Sequence, residues 1–439
     1  MMQSNRDQPD AGASAILSWP TIKLKLPLVL GYFFSAGSLA ISGIAQLVSF
    51  AVLARHLGVE QFGVLVTITA ATNVGMQLCG LGATETVVRR VAADPTIYRE
   101  AIGHHLILIG ASGSVLVLIL AAALPRFITV SSDGFTNFTA LLAFVVSNVV
   151  LARWIFVTEQ VFISRFEFGA ANLANIGFAL ARAFTVVLAC YGFGLSQLSD
   201  WALWHGGCHL LVAAVCTAIL SRFGWPRWTI LPNETRLGIF FCTPYFFKAI
   251  RQNIDLLVLS FVATPDIIGS FSVARRILDT STLTVSGLHR LTYPKLAVVN
   301  ASGFASTLAL ARKLLIVVFA IAGSTSISIF MLAPILPRLF GSGFSETITY
   351  TRALCWIGVL LGAQEMAAEA LGASGQHGLR ATIYNVGSIV GSFLVAAMTY
   401  KFLLGGAIVA FYVIECLIAI AFWIIIIAMS KRVVTFDAT

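Results

Sequence analysis

Residues Gln46–Gly63 read QLVSFAVLARHLGVEQFG, and residues Gln252–Gly269 read QNIDLLVLSFVATPDIIG. Each stretch ends an apolar helix in a short polar turn. Aligned without a gap, Gln46 matches Gln252, Val52-Leu53 matches Val258-Leu259, Glu60 matches Asp266 and Gly63 matches Gly269. The offset of 206 residues is close to half of the 439-residue chain, which points to one module used twice, a common plan among membrane transporters. Gly63 and Gly269 are expected at equivalent outer-side corners, each after the first helix of its half.

Composition agrees with a membrane location. Charged residues make up 11% of the chain, against about 25% in a soluble domain, and 58% of residues are apolar. The seven cysteines fall in or beside apolar runs without metal-like spacing and read as small buried hydrophobes. Residues 1–22 form a polar tail without the apolar core and cleavage site of a signal peptide.

A span needs about 20 mostly apolar residues. Twelve segments meet that length: 28–54, 64–88, 102–124, 137–158, 171–192, 199–221, 238–263, 267–289, 313–335, 347–371, 378–400 and 405–429. Their continuous apolar character excludes an outer-membrane barrel, which would show short alternating strands. The expected fold is all-α and polytopic, with a six-helix lobe over 23–222, an interfacial linker over 223–236 and a second six-helix lobe over 237–439. Trp225 and Trp228 would lie at headgroup level, while Pro226 and Pro232 separate the linker from its neighbours. With both termini cytoplasmic, 17 of the 28 basic residues fall on the inner side and only Arg55, Arg126, Arg338 and Lys401 outside. The formal charge of +9 is then mostly topology and attraction to anionic lipid, not nucleic-acid binding.

Seven basic residues remain in or near the spans: Arg153, Arg182, Lys248, Arg251, Arg275, Arg276 and Arg352. Each costs about 2.5–3.5 kcal/mol at a helix centre on insertion scales and needs a reason to be there. Local neutralisation is one reason, because residues three or four apart share a helix face. On that reading Arg251 pairs with Asp255, Arg275 or Arg276 with Asp279, and Arg89 with Glu85. Arg153 and Arg182 have no acid within four residues, so their partner is another helix, a ligand or water, unless they snorkel. The acids within spans are Glu85, Asp255, Asp279, Glu365, Glu369 and Glu415. Glu365 and Glu369 share one face, where they either neutralise arginines across a cavity or titrate as an ion-coupling site; Asp255 is a third candidate for either role. Several uncompensated cations argue for an anionic passenger, since guanidinium binds phosphate oxygens in pairs.

Motifs for catalysis are missing. There is no GxxxxGK[ST], HExxH or GxSxG motif, and the scattered histidines suggest no metal site or cofactor, so an enzyme is not expected.

The run Arg55-His56-Leu57-Gly58-Val59-Glu60-Gln61-Phe62-Gly63 reads R-x-L-G-x-x-x-F-G at the end of the first span. Together with GLGATETVVRRVA at 80–92, Asp255 to Leu259, Pro265 to Gly269, Ala-Arg-Arg at 274–276 and Tyr-Pro-Lys at 293–295, it resembles the bacterial polysaccharide flippases. These are the O-antigen and exopolysaccharide translocases of the multidrug/oligosaccharidyl-lipid/polysaccharide exporter superfamily. The resemblance implies a V-shaped bundle of two six-helix lobes in the bacterial inner membrane. It also implies flipping of an undecaprenyl-pyrophosphate-linked oligosaccharide to the outer leaflet by alternating access. Lipid-linked glycan and membrane lipids would be its ligands, with a polysaccharide polymerase and a chain-length regulator as protein partners. Arg153, Arg182, Lys248, Arg251, Arg275 and Arg276 would line a cationic cavity, and Arg275 stands where related precursor flippases place a functional arginine. Two alternatives remain: a cation-coupled drug exporter of the same superfamily, and a membrane-embedded glycan polymerase or ligase.

Overall fold

The computed structural model describes residues 26–128, 137–301 and 303–436. The polar tail 1–22 and most of the predicted loop 125–136 lie outside the described residues. No strand occurs among the described residues.

The first half comprises α1 (Leu26–Leu78), α2 (Ala83–Ala93), α3 (Tyr98–Ile128), α4 (Phe138–Val146), α5 (Ala152–Ser164), α6 (Phe168–Val187) and α7 (Leu198–Leu220). The second comprises α8 (Pro232–Val262), α9 (Pro265–Asn300), α10 (Phe304–Leu332), α11 (Leu336–Phe340), α12 (Thr347–Leu354), α13 (Ile357–Ala373) and α14 (His377–Phe436). Among the described residues, eight helical stretches are long and apolar enough to cross a membrane. Two of them, in α1 and α14, lie in helices broken by non-helical backbone at Gly58 and Leu403 and so hold two predicted spans each. The more polar α8 and α9 overlap the remaining two predicted spans. The chain is a multi-pass membrane protein.

Local chemistry sets the breaks. At Gly58 the backbone takes φ 75°, a conformation open to glycine at little steric cost. The second span stops at Leu78, ten residues before its expected end at 88, because Gly80, Leu81 and Gly82 all have positive φ and end the helix. Pro232 belongs to α8 and does not stand apart from it: a proline at the first helical position has no useful N–H to lose and its φ is preset.

The sequence echo acquires a geometry. Gly58 and Thr264, also 206 residues apart, are the two corners, the second being the residue that precedes α9. Gly63 and Gly269 are not corners; they touch each other across the two halves. A Cβ on Gly63 would stand 1.8 Å from the Pro265 carbonyl oxygen, and one on Gly269 would stand 2.4 Å from that of Val59. Beside them Phe62 of the first half packs edge-on against Phe344 of the second, with ring centroids 5.7 Å apart. The other end of the bundle repeats the device, since a Cβ on Gly82 would lie 2.0 Å from the Gly238 carbonyl oxygen. There the linker is strapped to α3. The Arg227 amide donates to the Arg99 carbonyl at 2.8 Å, and its guanidinium meets Glu100 at 3.0 Å.

Candidate functional site

A cavity of about 950 Å³ opens among α8, α9, α13 and α14, so every wall belongs to the second half. Helical spacing builds the walls. Tyr245, Lys248 and Gln252 lie three and four residues apart on α8, as do Leu361, Glu365 and Glu369 on α13, and each set projects from one face. Tyr293 on α9 and Tyr384, Asn385 and Ser388 on α14 complete a lining that is mostly polar.

The charges in it are mixed. Arg380 Nη2 donates to Glu369 Oε1 at 3.1 Å, and His289 Nε2 lies 3.6 Å from Glu365 Oε2. Arg251 lines the cavity but pairs with Glu415 of α14, and both side chains are buried. Lys248 is exposed to the cavity and has no ion pair within 4 Å among the described residues, and Asp279 has none either. A lining with this balance suits a passenger that offers hydroxyl groups as well as an anion.

The structure does not gather the six expected cations in one cavity. Only Lys248 and Arg251 reach it, together with Glu365 and Glu369. Arg275 Nη1 donates to Asp255 Oδ2 at 2.9 Å and Nη2 to the Gln252 carbonyl at 3.2 Å, while its guanidinium stacks 4.1 Å above Phe411. It is held as part of the frame. Arg276 donates to the Gln46 side chain, the first residue of the opening stretch, and so ties α9 to the first half. Among the described residues, Arg182 and Arg153 of the first half have no ion pair within 4 Å, and each lies over a phenylalanine ring at 5.6 Å, Phe178 and Phe156 respectively. Arg153 is 6% exposed and its Nε has no hydrogen-bond partner.

None of the expected local pairs forms. Arg251 meets Glu415 instead of Asp255, Asp255 meets Arg275, and Arg89 meets Glu234 instead of Glu85. A long guanidinium stem reaches the facing helix, where a carboxylate can be met head-on, whereas a neighbour one turn away on the same helix is met only obliquely. Two contributors carried no signal of a site. Arg380 counts in the sequence only among the inner-side basic residues, and His289 has no acidic neighbour there. The two residues stand opposite Glu369 and Glu365, four residues apart on α13.

The whole fold has counterparts among solved structures. One is a lipid II flippase in an inward closed conformation, with a TM-score of 0.70, 13% identity, and 91% of this chain and 87% of that chain covered. Another is a multidrug resistance MATE family transporter of the MOP superfamily in its inward-facing conformation, with a TM-score of 0.65, 17% identity and coverage of 92% and 94%. A third is the MATE multidrug transporter DinF-BH in complex with R6G, with a TM-score of 0.62, 17% identity and coverage of 94% and 97%. At these identities the likeness is one of fold. No curated protein sequence matches the chain. The family model described as polysaccharide biosynthesis protein matches residues 52–349, from the end of the first helix to the start of α12. With well over half of its length covered by that match, the chain belongs to the polysaccharide biosynthesis protein family.

Proposed function

We propose that the chain flips an undecaprenyl-pyrophosphate-linked oligosaccharide from the cytoplasmic to the outer leaflet of the bacterial inner membrane, for assembly of an O-antigen or exopolysaccharide. The observation that carries this reading is a polar cavity of about 950 Å³ in an otherwise apolar bundle, with Lys248 held in it without an ion pair. Family membership supports it, and one structural counterpart is itself a lipid II flippase. Tyrosines, amides and carboxylates would take the sugars, Lys248 and one edge of Arg251 the pyrophosphate, and the isoprenoid tail would stay in lipid. Arg153, Arg182 and Arg276 would act on the path between the halves with Arg275 framing it, and the two halves, 23–222 and 237–439, would move as lobes about the linker at 223–236. Both termini are cytoplasmic on this reading, and a polymerase and a chain-length regulator would act downstream. Both glycine contacts close the halves against each other, so passage requires one of them to part. Such parting would serve alternating access.

Drug export is a second reading, favoured by Asp279, an acid at the cavity wall without a basic partner within 4 Å. The test is replacement of Lys248 and Arg251 by alanine at normal expression level, scored by surface polysaccharide and by dye efflux from vesicles. Loss of polysaccharide without efflux supports flipping; full polysaccharide in both variants, or efflux that the acid's removal abolishes, would sink it.

A further inference from the structure

We propose that Glu159, set among Ser38, Ser42, Asn172 and Asn175 where α1, α5 and α6 meet, is a proton-binding site of the first half. Glu159 lies inside a membrane-spanning helix and, among the described residues, has no basic group within 4 Å. A carboxylate so placed is costly unless it takes a counter-ion or a proton. Its immediate neighbour is an amide donor: Asn175 Nδ2 points at Glu159 Oε2 from 3.2 Å, while Asn175 Oδ1 accepts from Ser42 Oγ at 2.6 Å. One turn away Ser38 Oγ donates to Asn172 Oδ1 at 3.2 Å. Both amide oxygens are therefore engaged, and the atom nearest the carboxylate carries hydrogens. That arrangement repels a metal ion and leaves room for a proton.

On the elements packed against α5, the charged and titratable groups other than Arg182 are neutral or committed elsewhere. On α2, Arg89 and Arg90 pair with Glu234. On α7, His205 and His209 stack with ring centroids 4.0 Å apart, and on the π-helical turn before α5 Asn148 donates to the Phe144 carbonyl. Arg165 at the end of α5 and Arg222 just after α7 are held by Glu167 at 3.5 and 3.0 Å. Glu85 stands in the field of Arg153. On α6, Arg182 lies two turns beyond Asn175.

Binding a proton would change more than one charge. A protonated Glu159 becomes a donor, and rotation of the Asn175 amide then lets Oδ1 accept from it while Nδ2 donates to Ser42 Oγ. The hydrogen-bond direction between α6 and α1 inverts. Ser42 lies one turn before Gln46, the partner of Arg276 across the halves, so the state of Glu159 reaches the interlobe contact through one helix. The site stands whichever passenger is carried; only its coupling rests on the flippase reading.

Infrared difference spectra of the purified chain in lipid nanodiscs, titrated with acid and base, test the site. One component of the carboxylic-acid C=O band that appears and disappears with pH should be missing in Glu159→Gln. In Asn175→Ala, which keeps the acid, it should persist at a shifted frequency, and this variant serves if the first does not fold. A band unchanged in both variants overturns the proposal, as does a melting temperature that rises with sodium in wild type but not in Glu159→Gln when no band titrates. Proteoliposomes given undecaprenyl pyrophosphate then separate site from coupling. Proton flux abolished by Glu159→Gln supports both, while a titrating band without flux keeps the site and overturns its coupling to that passenger.

Discussion

Arg251 reaches Glu415 because Gly391 clears its path: a Cβ there would press to 3.2 Å from Arg251 Cδ and 2.7 Å from Ile414 Cγ1. The pair is buried, so its members depend on each other far more than surface ions do. Replacing Glu415 with alanine strands a buried guanidinium and should cost about 3–5 kcal/mol, read as a lowered melting temperature in detergent. A double change, Arg251→Met with Glu415→Leu, should recover most of that loss, and failure to recover would show that the pair does more than neutralise itself. Lys248 contrasts with it. Exposed to the cavity and unpaired, it should tolerate alanine with a stability within about 0.5 kcal/mol of wild type while surface polysaccharide falls. Arg275→Ala should do the opposite, since it strands Asp255, which is fully buried. Unchanged stability in that variant would contradict the framing role assigned to Arg275.

At the scale of helices, close approach of backbones governs the contact between α1 and α9. No side chain fits between Gly63 and Pro265, so Gly63→Ala should push the halves apart at that end, at a cost of about 1–3 kcal/mol. Gly110→Ala is the matched control, because nothing lies within 4 Å of the added methyl group and the change favours helix. Equal melting temperatures for the two variants would mean that the contact is not held in the membrane. The same scale explains the helix ends. The stop at Leu78 is written in Gly80-Leu81-Gly82, whose positive φ values end the helix whatever packs around it.

For the whole molecule, contact at both ends makes access the question to ask. His377 is exposed at the start of α14 and lines the cavity, so a cysteine placed there reports which aqueous side the cavity faces. With cytoplasmic termini, a membrane-impermeant maleimide should label His377→Cys in inside-out vesicles and not in intact cells. The reverse pattern would invert the topology. Background should be low, because six of the seven native cysteines are buried and the seventh is partly so.

That the chain is all-helical and crosses the membrane many times was legible in the amino-acid sequence, and so was the 206-residue echo, although its corners fall at Gly58 and Thr264 and not at Gly63 and Gly269. Apolar run length, proline and glycine positions and an offset of 206 residues are local properties that no distant contact can reverse. The site was legible only in part. Lys248, Arg251, Glu365 and Glu369 were named and do meet at one cavity, but periodicity says which face a residue occupies and nothing about what faces it. Hence Arg275, Arg276 and Arg153 went to other surroundings, and Arg380 and His289 entered unannounced. Glu159 was hidden by a single residue, since the expected span ended at 158 while α5 continues to Ser164. Sequence determined the scaffold because burying apolar helices in lipid is decided residue by residue along each helix. Tertiary structure decided the chemistry because a buried charge is settled by the nearest partner in space, and for Arg251, Asp255 and Arg89 that partner lies on another helix.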